Sequence, residues 1–583
     1  MNRLQFYIDG VQSKSKPVNF EDLEVSISWK DDRGLQVEFD KLIWRGEDAE
    51  KIIAMRSDSL GSFVSRPLQI NVVDPDGQFN LPPLLIDLRK DLEIIGCNEV
   101  EHSVSFVGLK DWFKAEASIL QFARLEEEGK FTASDFVQIP YNINYIPDAV
   151  QVAVLSLALF NVAVQVAQFI KDSGETAVET AVPTTTAAAL LKIVIKIAYA
   201  ASIAIAIKNL IQQLGEQLYS RTRHHTGIKY KSLFEKGCAE LGLTFQSTIF
   251  DDPTWANAVL MPSKTERGKF NSGIRNGGSP KRNDVGLYFF GDFIETMKRK
   301  FNADYVINNG FLRFERWDYW QSSSTFVIPE NFNNQSRRLN VKGDNADEFK
   351  GGYFITFALD QKDQNTLDNY DRTAYDIITK PATNPYGVQY LNTAGSEVVD
   401  LPIALGTRKD TLSNFENILF GLFSAVDALT NTLTFGAAGT DFAQQILNRT
   451  GNLVLSDHFT DVPKCIIMNG SMLAPNQRDK VNSVLLYDDF HFINSFVVTN
   501  GKHNQWETFT MPLKICRNTV EELLNNNFAK TPTGEDAEIT NLVWTMEEDS
   551  GSIEYRVNTL YTTNLEQQFI TGENTDLANN NDI

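Results

Sequence analysis

The chain has 583 residues, which is more than one hydrophobic core accommodates, so roughly three or four domains are expected. Hydrophobic residues make up 42% of the chain and charged residues 22%, a composition that excludes a disordered protein. The formal net charge of −21 repels phosphates and argues against a protein that grips DNA from outside. It is compatible with a conduit through which a polyanion slides without sticking.

The cysteines and the opening residues both indicate a protein made in a cytoplasm. Cys97, Cys238, Cys465 and Cys516 are far apart and lack any CxxC spacing, so we expect thiols rather than disulfides. The chain opens with strand-like alternation instead of a signal peptide, and we therefore expect synthesis and folding in a cytoplasm.

Residues 1–147 predict an N-terminal β domain. Alternating apolar and polar residues predict strands at residues 3–8, 23–29, 35–39 and 67–73. The first of these ends at Asp9-Gly10, a dipeptide typical of tight turns. Strands with one solvent-exposed and one buried face are expected in antiparallel sheets or a barrel.

Residues 148–215 predict a hydrophobic helical hairpin inserted into this β protein. Residues 149–170 form a run of 22 without a charge, long enough for a helix of about 33 Å. A second apolar stretch, residues 187–207, is interrupted only by Lys192 and Lys196.

The hairpin is long enough to cross a bilayer, but its polar residues favour a different use. Asn161, Gln165 and Gln168 share a narrow stripe of the first helix, and the two lysines share one face of the second. Such stripes suit a helical bundle between subunits or a water-lined passage. Membrane insertion at some stage of action stays open as an alternative.

The remaining chain predicts a mixed α/β domain at 216–324, a β domain at 325–520 and a C-terminal β segment with a polar tail at 521–583. The middle domain is expected to hold helices at 230–238 and 292–301, a hairpin turning at Asn309-Gly310 and an exposed loop at 264–283. The later segments are expected to hold a helical interlude at about 411–430 and strands at 483–487, 492–498, 539–544 and 553–557. The predicted fold class is α+β, mainly β, with several antiparallel β-barrel or sandwich domains and the inserted hairpin.

Motifs for enzyme chemistry are scarce in the sequence. It contains no GxSxG, HExxH, GxxxxGK[ST] or GxGxxG pattern. We interpret His224-His225 as exposed loop or helix-end histidines, and residues 488–491 (DDFH) as a turn before a strand rather than a metal site. The sequence therefore predicts a protein that is not an enzyme, with no catalytic residue, no cofactor and no metal site.

Several segments resemble tail proteins from phages of Bacteroidetes hosts. They are residues 6–11, 19–25, 230–250, 293–317, 487–496, 541–544 and 553–556. The resemblance implies a virion structural protein, a tail hub or tail tip similar in role to the trimeric hubs of contractile baseplates. It further implies β-barrel domains that form a ring, most often a trimer, around the DNA path.

The same resemblance implies a set of partners and a location. The partners would be other copies of the chain and the tube, distal-tail and fibre proteins, with DNA passing through the lumen without specific binding. The protein would be made in the host cytoplasm and reside in the virion tail.

The expected mechanism is mechanical: apolar helices of each subunit meet near the ring axis and rearrange on host contact, which allows DNA ejection. The residues expected to fix or line this bundle are Asn161, Gln165, Gln168, Lys192 and Lys196. The host membrane is a further candidate partner of the hairpin.

Two alternatives come from other classes of protein. A pore-forming protein would also combine a β-rich body with an apolar hairpin at 149–207. A receptor-binding or glycan-cleaving tailspike would present exposed aromatic residues beside a carboxylate pair, and the sequence shows neither such a cluster nor a long β-helix repeat.

Overall fold

The computed structural model describes residues 4–143, 222–263, 289–329, 341–378, 396–412 and 450–558, apart from short gaps, and isolated positions between 413 and 449. The helical hairpin predicted at 148–215 lies outside these residues, as do the loop at 264–283, the polar tail and nearly all of the helical interlude. These features, and the domain boundaries given above, stay predictions. Strands and helices are numbered along the described chain.

One antiparallel sheet, here called the terminal sheet, joins the two ends of the described chain. Its strands are β3 (Glu24–Trp29), β4 (Leu35–Phe39), β18 (Val341–Asp344), β27 (Trp506–Lys514), β28 (Phe528–Lys530), β29 (Asp536–Thr545) and β30 (Ser550–Asn558). They lie in the order β18-β27-β30-β29-β3-β4, with β28 paired to β29. Strand β3 runs antiparallel to β29, with Ser28 beside Asn541 and Glu24 beside Thr545.

Two further antiparallel sheets, from residues 4–106, pack on the same core. One has the order β11-β8-β6-β1-β2, with β7 on β6, and the other has the order β5-β10-β9. Their strands are β1 (Leu4–Ile8), β2 (Val11–Gln12), β5 (Leu42–Arg45), β6 (Arg66–Asp74), β7 (Gly77–Asn80), β8 (Leu84–Ile86), β9 (Glu93–Ile94), β10 (Glu99–His102) and β11 (Val104–Phe106). The shared core buries Trp44 and Trp544 completely, and Trp44 donates its Nε1 hydrogen to His102 Nε2 at 2.9 Å.

A larger sheet, here called the mixed sheet, gathers strands from widely separated parts of the chain. They are β12 (Phe136–Ile143), β13 (Arg223–Lys229), β15 (Ala258–Met261), β19 (Gly352–Ala358), β20 (Ala374–Ile378), β21 (Ser396–Leu405), β22 (Leu453–Leu455), β23 (Lys464–Asn469) and β24 (Met472–Leu473). The order is β20-β19-β21-β23-β15-β13-β12-β22, with β24 on β23. Strand β21 runs parallel to both β19 and β23, and β12 runs parallel to β22.

Smaller strand pairs complete the described β-structure. Strands β14 (Thr244–Gln246), β16 (Ala303–Asn308) and β17 (Phe311–Arg316) form the order β14-β17-β16, and β25 (Val498–Thr499) pairs with β26 (Lys502–His503). Gly310 turns β16 into β17 with φ of 79°, a conformation that side chains with a Cβ rarely adopt.

Helices cover one face of the mixed sheet and contribute an aromatic core. The described helices are α1 (Glu47–Arg56), α2 (Leu109–Ile119), α3 (Phe122–Glu127), α4 (Tyr230–Glu240), α5 (Pro253–Ala256), α6 (Phe290–Phe301), α7 (Trp317–Ser322), α8 (Gln364–Asn369), α9 (Ser483–Leu486) and α10 (Arg517–Asn525). In this core the Phe234 ring centroid lies 5.0 Å from that of Phe293 and 5.0 Å from that of Phe314. Gly237 permits the close approach of α4 to α6, because a Cβ there would lie 2.6 Å from the Phe290 ring.

The predictions that rest on local turn chemistry are confirmed. The strands expected at residues 3–8, 23–29, 35–39 and 67–73 are present, as are both helices of the middle domain and the hairpin at Gly310. The strands expected at 539–544 and 553–557 are present as the central pair of the terminal sheet. Cys238 and Cys465 are buried free thiols, and Cys97 and Cys516 lie outside the described residues.

The strand expected at 483–487 is wrong. The Asn482 side chain caps a helix there by accepting a hydrogen bond from the backbone N–H of Leu485 at 2.9 Å. Helix α9 then continues into a π-helical turn, Tyr487–His491, so the expected turn before a strand at Phe492 is wrong as well. Helices α1, α2 and α3, which lie within the predicted N-terminal β domain, were not expected from the sequence.

The fold class is confirmed in its coarse form, since the described chain is mainly β with several antiparallel sheets. Within the described residues none of these sheets closes on itself, so the barrel form expected from the sequence is not shown. The parallel pairs of the mixed sheet were not expected either.

A buried ion cluster ties the mixed sheet to the segment that follows β19. Lys464 Nζ lies 2.9 Å from Asp360 Oδ2 and 3.0 Å from Asp363 Oδ2, and all three side chains are almost completely buried. Asp363 also accepts hydrogen bonds from Thr366, whose hydroxyl accepts one from the backbone N–H of Thr407. Burial raises the pKa of Asp363, and the Lys464 charge opposes this rise.

We predict that Lys464→Met strongly destabilises the protein, because it leaves two buried carboxyl groups without their cation. The expected loss is about 3–5 kcal/mol in the free energy of unfolding, measured by urea denaturation. The matched control is Lys362→Met, whose ammonium pairs at 3.2 Å with Asp457 and Asp461 near the surface. That change should lose less than about 1 kcal/mol, and equal losses in the two variants would contradict the prediction.

Candidate functional site

The residues predicted to line a helical bundle are not part of the described structure. Asn161, Gln165, Gln168, Lys192 and Lys196 lie outside the described residues, and their role stays a prediction. Among the described helices, none is both long enough and apolar enough to cross a membrane.

An open pocket of about 500 Å³ lies where four separate parts of the chain meet. It is bounded by the turn that leads into α5, by α7, by Lys480 and by the π-helical turn after α9. The charged residues of its lining are Asp252, Arg316, Asp318, Lys480 and Asp489.

The α5 side of the pocket is fixed by a helix cap. Asp252 Oδ1 accepts hydrogen bonds from the backbone N–H groups of Thr254 at 2.8 Å and Trp255 at 3.3 Å. Pro253 occupies the first helical position, where its missing N–H is not needed. The cap therefore fixes the Asp252 carboxylate in the lining, together with the start of the helix that carries Trp255.

A buried carboxyl group supports the opposite wall. Both oxygens of Glu315 accept the backbone N–H of Thr248 at 3.0 Å, and burial raises the pKa of Glu315. The next residue, Arg316, donates from Nε to Asp318 Oδ1 at 2.9 Å and lies over the Phe490 ring at 5.5 Å from its centroid. Arg316 is thus held by two contacts within the protein.

Two adjacent carboxyl groups of the π-helical turn stand out electrostatically. Asp488 and Asp489 reach solvent, yet neighbouring atoms displace enough water to raise the pKa of Asp488 to about 6, and the charge of Asp489 adds to this rise. The pKa of Asp489 is raised mainly by the same loss of water, with Arg316 opposing and Asp252 adding. The sequence pattern had indicated a simple turn at these residues.

The aromatic rings of the pocket do not form the exposed platform that glycan binding requires. Trp255 is 6% exposed and Phe490 is 8% exposed. The Tyr319 ring already contacts the Arg313 guanidinium, 5.5 Å from the ring centroid. The pocket thus combines both signs of charge with Trp255 and Phe490 rings that are mostly buried.

The histidine pair lies in a strand rather than in a loop or at a helix end, and the expected exposure holds for His224 alone. His224 and His225 lie in strand β13, where successive side chains point to opposite faces, so His224 is exposed and His225 is buried. Burial lowers the pKa of His225 to about 4, and it does the same to His491. Within the described part of the chain, no three His, Cys, Asp or Glu side chains are placed to hold a metal ion.

An exposed apolar pair lies on the outer face of the mixed sheet. Phe354 of β19 and Val398 of β21 are direct partners on parallel strands, and Val398 is 66% exposed. Their neighbours Tyr353 and Val399 point the other way into the core. We call this pair the strand face.

A second exposed apolar surface follows helix α2. Leu109, Trp112 and Ile119 recur at helical spacing on the solvent side, and Ile119 is 68% exposed. The opposite side of α2 buries Phe113 and Ala117 in the core. We call this surface the helix face. Sequence periodicity could have found it, but the region had been interpreted as β-structure.

Comparison with protein-family models and with curated proteins finds no match. Among solved structures, the chain is similar to the prophage tail protein gp18 from Listeria monocytogenes EGD-e, with 7% identity and a TM-score of 0.32 over 98% of this chain and 100% of that chain. It is also similar to the Francisella PdpA-VgrG complex, lidded, with 7% identity and a TM-score of 0.26 over 95% of this chain and 52% of that chain. The chain thus spans about half of the second structure's length, and likeness at these scores does not establish a shared fold.

We predict that Asp488→Asn stabilises the folded protein at neutral and alkaline pH. The folded pKa of about 6 lies above the ordinary value of 3.8, so this group's contribution to stability falls as the pH rises between these values. The variant should therefore have a higher Tm than the wild type at about pH 8, and the difference should shrink towards about pH 4.

Thermal unfolding monitored by circular dichroism across this pH range tests the prediction. Asp479→Asn is the matched control, because Asp479 is an exposed acid of a nearby turn and its loss should change the Tm little. A gain for Asp488→Asn that is the same at all pH values would contradict the assigned pKa.

Proposed function

We propose that the chain is a structural subunit of a phage-type tail, located at the tail hub or tip. There it would close or continue the tail tube and take part in DNA ejection into the host. The sequence resemblance to tail proteins supports this role, and the Bacteroidetes host rests on that resemblance alone.

The observation that carries the proposal is the presence of two separate apolar faces on a strongly acidic chain. Large apolar residues exposed together on a regular strand pair or helix mark contact surfaces with other proteins. A ring built by rotation needs two different surfaces on each subunit, one for each neighbour. The strand face and the helix face meet this requirement, which supports a closed ring such as a trimer.

The charge of the chain fits the same role. A net charge of −21 leaves a lumen lined by this protein repulsive to phosphates, so DNA would slide through without specific binding. Tube, distal-tail and fibre proteins would be the further partners, and the virion tail the final location after synthesis in the host cytoplasm.

The hairpin would act at the ring axis. In this proposal the apolar stretches of all subunits form a bundle that rearranges on host contact, to open the tube or to enter the host membrane. The polar groups of this bundle would be Asn161, Gln165, Gln168, Lys192 and Lys196.

We predict that each apolar face can be inactivated alone and that the two defects complement each other. Phe354→Glu with Val398→Glu should abolish the strand face, and Trp112→Glu with Ile119→Glu should abolish the helix face. Each double variant alone should run as a monomer in native mass spectrometry, because every ring contact then has one damaged surface. An equimolar mixture should form dimers, in which the intact helix face of one variant meets the intact strand face of the other.

The control for this experiment changes exposed apolar residues outside both faces. Val11→Glu with Met472→Glu should leave the closed ring of the wild type intact. A mixture that remains monomeric would refute the pairing of these two faces. A wild-type monomer that leaks dye from liposomes would refute the hub itself and favour the pore-forming alternative.

A further inference from the structure

A lysine and a cysteine meet inside the core beneath the pocket. Lys300, at the end of α6, is 0% exposed and Cys465, on β23, is 2% exposed. The Lys300 Nζ lies 3.3 Å from the Cys465 Sγ, although the two residues are 165 positions apart in the chain.

The surroundings of this amine are unusual for a lysine. Lys300 Nζ lies over the faces of Trp255 at 4.5 Å and Tyr230 at 5.0 Å from the ring centroids. Fully buried lysines normally pair with a carboxylate, whereas the hydrogen-bond acceptor described for Lys300 is the thiol. Burial lowers the pKa of Lys300, which increases the share of the neutral and nucleophilic amine.

We propose that Lys300 and Cys465 form an oxidative cross-linking site, at which a peroxide couples the amine nitrogen to the sulfur. The geometry carries this inference, because the two reacting atoms are already in contact and belong to elements that the core holds in place. The product would tie α6 covalently to the centre of the mixed sheet. It is independent of the proposed tail function.

The reaction has two balanced steps. Hydrogen peroxide first transfers one oxygen to the Cys465 thiol, which becomes a sulfenic acid while one water is released. The Lys300 amine then attacks the sulfur, the N–S bond forms, the S–O bond breaks, and hydroxide leaves with the amine proton as a second water. Sulfur is oxidised, peroxide is reduced, and a thiol reductant reverses the product.

The pocket provides a short route for a small oxidant. Trp255 lines the pocket, and its ring also lies against the Lys300 amine. Trp255 thus borders both the pocket and the Lys300 amine, and the pocket is the side from which we expect a molecule as small as hydrogen peroxide to reach the pair.

The chain contains its own comparison site. Cys238 is also buried and free, but burial raises the pKa of its thiol well above the usual range, and the charged group described near it is the carboxylate of Glu235. A carboxylate cannot trap a sulfenic acid as an amine does. Cys238 should therefore give no cross-link under conditions in which Cys465 does.

The test is to treat the full-length chain with hydrogen peroxide and to measure intact and peptide masses without reduction. We expect a loss of two hydrogen atoms, about 2 Da, and a peptide pair that joins Lys300 to Cys465 and separates on reduction. The oxidised wild type should also show a higher Tm than the untreated protein.

Two variants separate the cross-link from a purely structural contact. Lys300→Met should leave Cys465 to gain oxygen atoms without a joined peptide pair, and Cys465→Ser should abolish both products. Wild-type protein whose Cys465 gains oxygen atoms without a joined pair, or stays fully alkylatable after denaturation, would overturn the proposal without any variant having to fold.

Discussion

The pairing of β3 with β29 is the constraint on which the rest of the fold depends. It adds β3 and β4, from the first forty residues, to one end of a sheet made mostly by the last strands of the described chain. Ser26 Oγ donates to Asn541 Oδ1 at 3.0 Å across 515 positions of sequence. Trp544 and Trp44, from opposite ends of the chain, are buried in the same core. The chain leaves this core for the mixed sheet and returns to it, which makes the described fold rich in long-range contacts.

Buried ion pairs are a second constraint on the fold, because they fix how helices and loops pack on the sheets. Lys464 with Asp360 and Asp363 sits at the mixed sheet, and Lys110 Nζ joins α2 to β16 by contacting both oxygens of Asp304 at 2.8 Å. Such clusters add little to stability compared with apolar packing, but a wrong arrangement leaves a charge buried without its partner. They thereby penalise alternative packings of the helices on the sheet.

The sequence predicted those elements whose cause is local. The Gly310 hairpin follows from turn chemistry, and α6 follows from apolar residues at helical spacing. The segment at 483–487 was predicted as a strand although it begins a helix, because a short apolar run fits either element. The Asn482 cap decides between them.

Features assembled from distant residues could not be found in this way. The burial of His225 depends on neighbours in the mixed sheet, and the parallel partners of β21 come from other parts of the chain. The pocket joins residues between 248 and 490, of which Asp489 and Phe490 belong to the segment 488–491 that the motif search had considered. The raised pKa of Asp488 and of Asp489 arises from folding, which brings other atoms close enough to displace water.

If the exposed apolar faces join copies in the proposed ring, they have a consequence for copies that are still free. Apolar attraction acts only at contact, whereas repulsion between chains of charge −21 reaches about 8 Å beyond the surface at physiological ionic strength. Free copies therefore repel each other until they approach in an orientation that buries a face. The negative charge that would keep DNA from binding to the lumen thus also opposes premature aggregation of free copies. The ionic strength of the cell sets the size of this electrostatic barrier.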